Sequence, residues 1–273
     1  MRNWMKIGLA AVTFAALGAV AILGGGTFTA AAQTDSFSEG QVKSIEKIVR
    51  DYLLSHPEVL AEVQEAYEKK ADSARADATR AHLPAFYKTL SDMKPELSGM
   101  SVGSGDVTLV EFFDYNCGYC RKTLPDLVKL IENEHNVKVQ FLEYPILAPE
   151  SKQASKVAIA AAKQGKYFEF YKAMFATGRA SKESALKVAA QLGLDMDRLQ
   201  ADMASPETDA LIAQIAEIGK RMFVDGTPTF VVGDKINPGW TQYDQLEELV
   251  SEARKDGCKA CAAAGSVKDE KKS

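Results

Sequence analysis

Cysteine is scarce, with four residues in 273. A chain of this length that is 46% hydrophobic can bury an ordinary core, which excludes a fold that depends on disulfide staples. Histidine is scarcer still: His56, His82 and His135 are scattered over helix-like surface patterns and form no metal-ligating cluster. Acidic residues are missing from positions 1–32, which carry only Arg2 and Lys6 as charges and run uncharged from Ile7 through Ala32, ending Ala30-Ala31-Ala32. That pattern reads as a secretory signal peptide over residues 1–32, cleaved after Ala32. An uncleaved membrane anchor is the alternative, since the run is long enough to span a bilayer. Gly24-Gly25-Gly26 followed by small residues favours cleavage. No later stretch is apolar enough to span. In both readings the folded part is exported to a compartment where disulfides form and persist. Losing Arg2 and Lys6 from 33 basic residues leaves 31 against 37 acidic ones, a net charge of about −6, and this mild negative balance argues against a nucleic-acid partner.

Glycine is nearly absent from Phe37 to Met93, and the segment reads as helix throughout. Ser38 followed by Gln41 has the form of a capping box. Val42, Ile45, Ile48, Val49 and Leu53 recur at helical spacing, and Val59, Leu60, Val63 and Tyr67 resume the stripe after the His56-Pro57 break. Pro57 should end one helix and sit at the first turn of the next. From Glu62 to Arg80 the sequence is rich in Ala, Glu, Lys and Arg, as suits a solvated helix with a narrow apolar stripe. Two readings of residues 33–98 stay open: a helical hairpin docked on the rest of the chain, or a stalk through which copies associate as a homo-oligomer, dimer or trimer.

The texture changes from Asp106. "DVTLVEFFDY", "VKVQFLEYP" and "TPTFVVGD" are strand signals, separated in the second gap by a strongly helical block over about 149–222, and Tyr243 to Lys255 reads as a final helix. The pattern predicts an α/β sheet with an inserted helical subdomain over residues 99–257, followed by a flexible tail, 258–273. There is no internal repeat, except that Cys-x-x-Cys occurs twice, at Cys117/Cys120 and Cys258/Cys261.

Three uses of the first pair compete. A shared zinc site is a poor fit, because the two pairs lie far apart in sequence and the first sits on a strand-to-helix junction. A structural disulfide fits poorly too, since closing so short a loop removes little chain entropy. Redox turnover has a mechanism: Cys117 stands at a helix N-terminus, where unpaired N–H groups and the positive end of the dipole stabilise a thiolate. Cys120, one turn further on, is poised to attack a mixed disulfide formed at Cys117. Gly118 and Tyr119 between them allow a tight turn and present an aromatic surface. Cys258 and Cys261, in "DGCKACAAAGS", lie in a segment without a core-forming pattern and are expected to be exposed and mobile, forming their own disulfide or holding a metal. A copper- or zinc-binding envelope protein using its four thiols is the reading from a different class.

"EFFDYNCGYC", "EYPIL", "GKYFEFYKAMF" and "GTPTFVVGD" together resemble the DsbA family of cell-envelope thioredoxin-fold proteins, and the helical N-terminal extension resembles its ScsC-like branch. The resemblance covers about Ser38 to Lys255. It implies a thioredoxin fold with an inserted helical subdomain, preceded by an N-terminal helical stalk, in the periplasm. It implies Cys117 as nucleophile, Cys120 as resolving thiol, and a cis bond before Pro228 in the loop facing them; on general grounds only about one X-Pro bond in twenty is cis. Pro125 matches the proline inside the family's active-site helix, the alternative being a helix start. Glu111, in an otherwise apolar strand, matches an acid that passes protons beneath the disulfide, the alternative being a strand-edge residue reaching water.

Reaction direction is read from departures. Oxidase members typically carry Pro-His between the cysteines, whereas Gly-Tyr, and Thr before the cis-proline (here Thr227), resemble the dimeric isomerases of the DsbC type. Losing a donor beside the thiolate makes the disulfide less oxidising. The expected activity is therefore protein-disulfide isomerase or reductase, with oxidase as runner-up. The implied partners are cysteine-containing proteins and a membrane thiol-transfer protein, DsbD- or ScsB-like, or DsbB-like for an oxidase. No cofactor is expected beyond the redox-active Cys117–Cys120 pair.

Overall fold

The computed structural model describes residues 37–134 and 136–266; the expected leader, His135 and residues 267–273 lie outside the described residues. The chain separates into two compact units, Met1–Ala61 and Glu62–Ser273. In the first, α1 (Glu39–Ser55) opens on the expected capping box: Ser38 Oγ accepts from the Gln41 N–H and the Gln41 side chain accepts from the Ser38 N–H. Its stripe is uncovered, with Val42, Ile45, Ile48 and Val49 exposed and no residue of the helix buried. Helix α2 (Glu58–Asp92) begins just after Pro57, as the proline requires.

The second unit includes most of α2. The split between the units falls after Ala61, and Leu83, Phe86, Met93 and Leu97 are buried in the main core. The apolar stripe widens after Arg80, and burying such side chains stabilises by roughly 1.5–3 kcal/mol each. After α3 (Lys94–Leu97) come β1 (Ser101–Val102), β2 (Val107–Phe113), α4 (Gly118–Asn133) and β3 (Val137–Glu143). The helical block follows as α5 (Pro149–Ala162), α6 (Tyr167–Ala176), α7 (Lys182–Gln191), α8 (Met196–Ala204) and α9 (Pro206–Arg221), matching the expected insertion. The chain then forms β4 (Thr229–Val232), β5 (Lys235–Pro238), α10 (Tyr243–Asp256) and α11 (Lys259–Ser266).

The sheet order is β1-β3-β2-β4-β5, with β2 and β3 parallel and the other neighbours antiparallel. This is a mixed sheet with a helical block inserted between β3 and β4. Strand β2 is central and almost wholly buried, which explains its near-continuous apolar run. Phe113, Tyr115, Phe141, Tyr171 and Phe175 pack edge-on and tilted between sheet and insertion. Strands β1 and β5 had no sequence signal of their own.

In the tail, Lys259–Ser266 forms helix α11, with Ala260 buried and Cys258 packed on the core. Asp234, in the β4–β5 turn, accepts from the N–H groups of Lys259 (3.1 Å) and Ala260 (2.9 Å) and caps α11.

Candidate active site

Strand β2 runs directly into the site. Beyond Phe113 the chain turns through Asp114-Tyr115-Asn116, and the Cys117 N–H bonds the Asp114 carbonyl at 2.9 Å. Asp114 Oδ1 accepts from the Asn116 N–H (2.8 Å) and Oδ2 from the Leu147 N–H (2.9 Å). Asn116 Nδ2 donates to Ser151 Oγ and to the Ala180 carbonyl, while its Oδ1 accepts from the Ala180 N–H. The turn is thus tied to both α5 and the α6–α7 loop, so the first cysteine is positioned by the insertion as well as by the sheet.

Cys117 is the N-cap of α4, its Sγ accepting from the Cys120 N–H at 3.3 Å. Its Sγ also lies 3.0 Å from the Thr227 carbonyl oxygen, across the cis Thr227–Pro228 bond that the family resemblance implied. The Gly239 N–H fixes the far side of that loop by bonding the Pro228 carbonyl at 2.7 Å. Pro125 lies inside α4, not at its start. Both thiols are free and buried. The hydrogen bond from the Cys120 side chain, with the Thr227 side chain and the backbone N–H groups of Cys120 and Tyr119, lowers the Cys117 thiol to about 6 against the opposing effect of burial. Burial, the bond to Cys117 and the nearby Glu111 push the Cys120 thiol well above the ordinary range. The two sulfurs are therefore unequal. Gly118 and Tyr119 fill the turn, with Tyr119 61% exposed over the site.

Glu111 is fully buried, not a strand-edge residue reaching water. Its Oε2 accepts from Tyr171 Oη at 2.8 Å, and Oε1 has no hydrogen-bond partner among the described residues. Burial raises its carboxyl to about 8, with the Tyr171 bond offsetting part of the effect. Sequence reasoning missed its companion, Glu143. That carboxylate, also fully buried, accepts from Tyr115 Oη (3.0 Å) and Tyr167 Oη (2.8 Å), and burial again raises it to about 8. The signal was present: an acid closes the apolar run "VKVQFLE", and the register sets it opposite Phe113 in β2. Two protonatable carboxyls thus lie in the core, each bound by at least one tyrosine hydroxyl, and the charge of Glu111 is felt at Cys120.

The second pair is apart in kind. Cys258 and Cys261 are joined in a disulfide. No group of three or more His, Cys, Asp or Glu that could hold a metal gathers among the described residues.

A family model for the DSBA-like thioredoxin domain matches residues 108–251, more than half of the chain. The chain belongs to the DsbA-like thioredoxin-domain family. The matched span contains the Cys117–Cys120 junction and the Pro228 loop. A second model, for the N-terminal domain of the copper resistance protein ScsC, matches residues 41–74. Among solved structures, a thioredoxin-like oxidoreductase from Silicibacter pomeroyi is 42% identical, covering 57% of this chain and 91% of its own, with a TM-score of 0.55. Proteus mirabilis ScsC in a transitional conformation is 25% identical, covering 81% of this chain and all of its own, with a TM-score of 0.56. A curated relative, the NhaA 3 sodium/proton antiporter of Salinispora tropica, is 29% identical over 150 residues; this is 54% of the present chain but only 23% of that protein. This DsbA-like chain thus spans about a quarter of that relative's length, and the match concerns a part of it.

Proposed function

We propose that this DsbA-like protein works in the periplasm as a disulfide isomerase or reductase, with Cys117 as nucleophile and Cys120 as resolving thiol. The carrying observation is the inequality of the two sulfurs: Cys117 caps a helix with a depressed pKa, while Cys120 is sealed in the core. The Cys117 thiolate attacks a substrate disulfide, forming a mixed disulfide and releasing one substrate thiolate. In isomerisation a substrate thiolate attacks back and Cys117 leaves, with no net electron transfer. In reduction the Cys120 thiol gives up its proton, attacks Cys117 Sγ and releases the second substrate thiolate, leaving a Cys117–Cys120 disulfide that a membrane thiol-transfer partner returns to the dithiol. That pair is the only redox group the reaction needs. Glu111, buried close enough for its charge to raise the Cys120 thiol, accepts the proton in its ionised form.

Exposed apolar side chains frame the site and suit an unfolded protein substrate. Tyr119 lies between the cysteines, Leu147 is joined through its N–H to Asp114, and Trp240 stacks under Lys122 of α4. The uncovered stripe of α1 supports assembly of copies through the N-terminal helices, and such assembly gives a held substrate repeated encounters.

A second reading, disulfide oxidase, is favoured by one specific observation: a Cys117 thiol lowered to about 6 stabilises the dithiol and makes the disulfide more oxidising. The distinguishing experiment pairs scrambled-ribonuclease refolding and insulin reduction with oxidation of a reduced substrate. Restoration of scrambled substrate by reduced protein supports the proposal. Net oxidation of reduced substrate without restoration of scrambled substrate supports the oxidase. Cys117→Ser should abolish both activities, and Cys120→Ser should accumulate mixed disulfides; absence of adducts with Cys120→Ser overturns the assignment of roles.

A further inference from the structure

The second cysteine pair repeats the architecture of the first with opposite electrostatics. Cys258 precedes α11, and its Sγ lies 3.0 Å from the Cys261 N–H, as Cys117 Sγ lies 3.3 Å from the Cys120 N–H. Here the remaining N–H groups of the first turn are already taken. Asp234 bonds those of Lys259 and Ala260, and its Oδ1 is 3.9 Å from Cys258 Sγ. The sulfurs differ in access, with Cys258 half-buried against the core and Cys261 exposed. A disulfide closing two intervening residues adds little stability by chain entropy, so staple duty does not account for the pair.

We propose that Cys258–Cys261 is a second thiol–disulfide exchange site, entered at Cys261 and more reducing than the first, with Asp234 as the residue that sets its poise. Its reaction partner is a dithiol. A thiolate of that dithiol attacks Cys261 Sγ, the Cys258–Cys261 bond breaks, and Cys258 leaves as a thiolate that takes a proton from water. The dithiol's second thiolate then attacks its own sulfur in the mixed disulfide, closing the donor's disulfide and releasing Cys261, which is protonated in turn. Two electrons pass from donor to protein. A carboxylate beside the leaving Cys258 disfavours a second negative charge there, whereas Cys117 Sγ accepts from the Cys120 N–H and has no acid in direct contact. The equilibrium therefore lies toward disulfide at the second site and toward dithiol at the first.

The test uses the full chain under native conditions, equilibrated against dithiothreitol of graded reduced-to-oxidised ratio, trapped with two alkylating reagents and read by peptide mapping. Both pairs are followed in one molecule. The Cys258–Cys261 pair should need a ratio at least about tenfold more reducing than the Cys117–Cys120 pair. Asp234→Asn keeps an acceptor for the α11 cap but loses the charge, and should bring the second transition closer to the first by about fivefold, the effect of one partly solvated charge. Glutathione disulfide should label Cys258→Ser at Cys261 faster than it labels Cys261→Ser at Cys258. The proposal is overturned if the second pair is reduced only when circular dichroism shows unfolding, if both pairs titrate together, or if Asp234→Asn leaves the separation unchanged.

Discussion

At the scale of single residues, the site rests on opposed proton affinities. The folded, reduced protein holds Cys117 at about 6 against an ordinary 9.0, so between those values it binds fewer protons than the unfolded chain, and this contribution to stability grows as pH rises through the window. Glu111 and Glu143, raised from 4.5 to about 8, act in the reverse sense: over that span the folded state holds protons the unfolded state has lost, and stability falls with rising pH. Urea midpoints of the reduced protein from about pH 5 to 9 should show both effects. Glu111→Gln or Glu143→Gln should flatten the fall, and Cys117→Ser should remove the rise above pH 6. The alkylation rate of Cys117 should titrate with a midpoint near 6. Glu111→Gln should also slow release of the mixed disulfide by roughly 10²-fold, the usual reach of one positioned proton acceptor, as measured by stopped flow with a model disulfide. A Glu111→Gln enzyme that resolves mixed disulfides at the wild-type rate would remove the carboxyl from the mechanism.

Among the elements, α9 meets the sheet side of the molecule through one small residue. A Cβ on Gly219 would fall 2.5 Å from Cε2 of Tyr144, whose hydroxyl bonds the Val224 carbonyl at 2.9 Å. Gly219→Ala should therefore destabilise by about 1–3 kcal/mol, as overpacking in a filled core does, and thermal melting will register it. The parts of the fold that were legible in the sequence are those with a local period or local chemistry. Strands β2, β3 and β4, the capping box of α1, the helical insertion and the Cys117 cap all announce themselves within a few residues. Strands β1 and β5 were silent, because two or four residues paired at a sheet edge leave no alternation to read. Helix α11 was silent for a different reason: its cap, Asp234, lies 24 residues before Cys258 and is brought there by the hairpin. Glu143 was overlooked because its tyrosines come from another part of the chain.

For the whole molecule, the division after Ala61 decides where it can be cut. A chain starting at Glu62 retains Leu83, Phe86, Met93 and Leu97 and should stay folded and reduce insulin. A chain starting after Met93 loses three of those anchors and should unfold, since even one buried Leu or Phe truncated to Ala typically costs about 2–5 kcal/mol. If α1 assembles copies through its exposed stripe, light scattering will give a multiple of the chain mass for the longer protein and a single mass for the one starting at Glu62, with scrambled-substrate refolding reduced in the latter. A full-length protein scattering as a monomer would end the assembly proposal. The sheet's borders carry a separate consequence. One outer strand is only Ser101–Val102; the other is Lys235–Pro238, with Lys235 paired to Glu252 and an exposed proline at its end. A protein that handles unfolded chains is continually offered sticky extended segments, and a long bare border would template their pairing and draw the protein itself into aggregates. Borders this short and this poor in free donors give such segments nothing to extend, so clients can be released soluble.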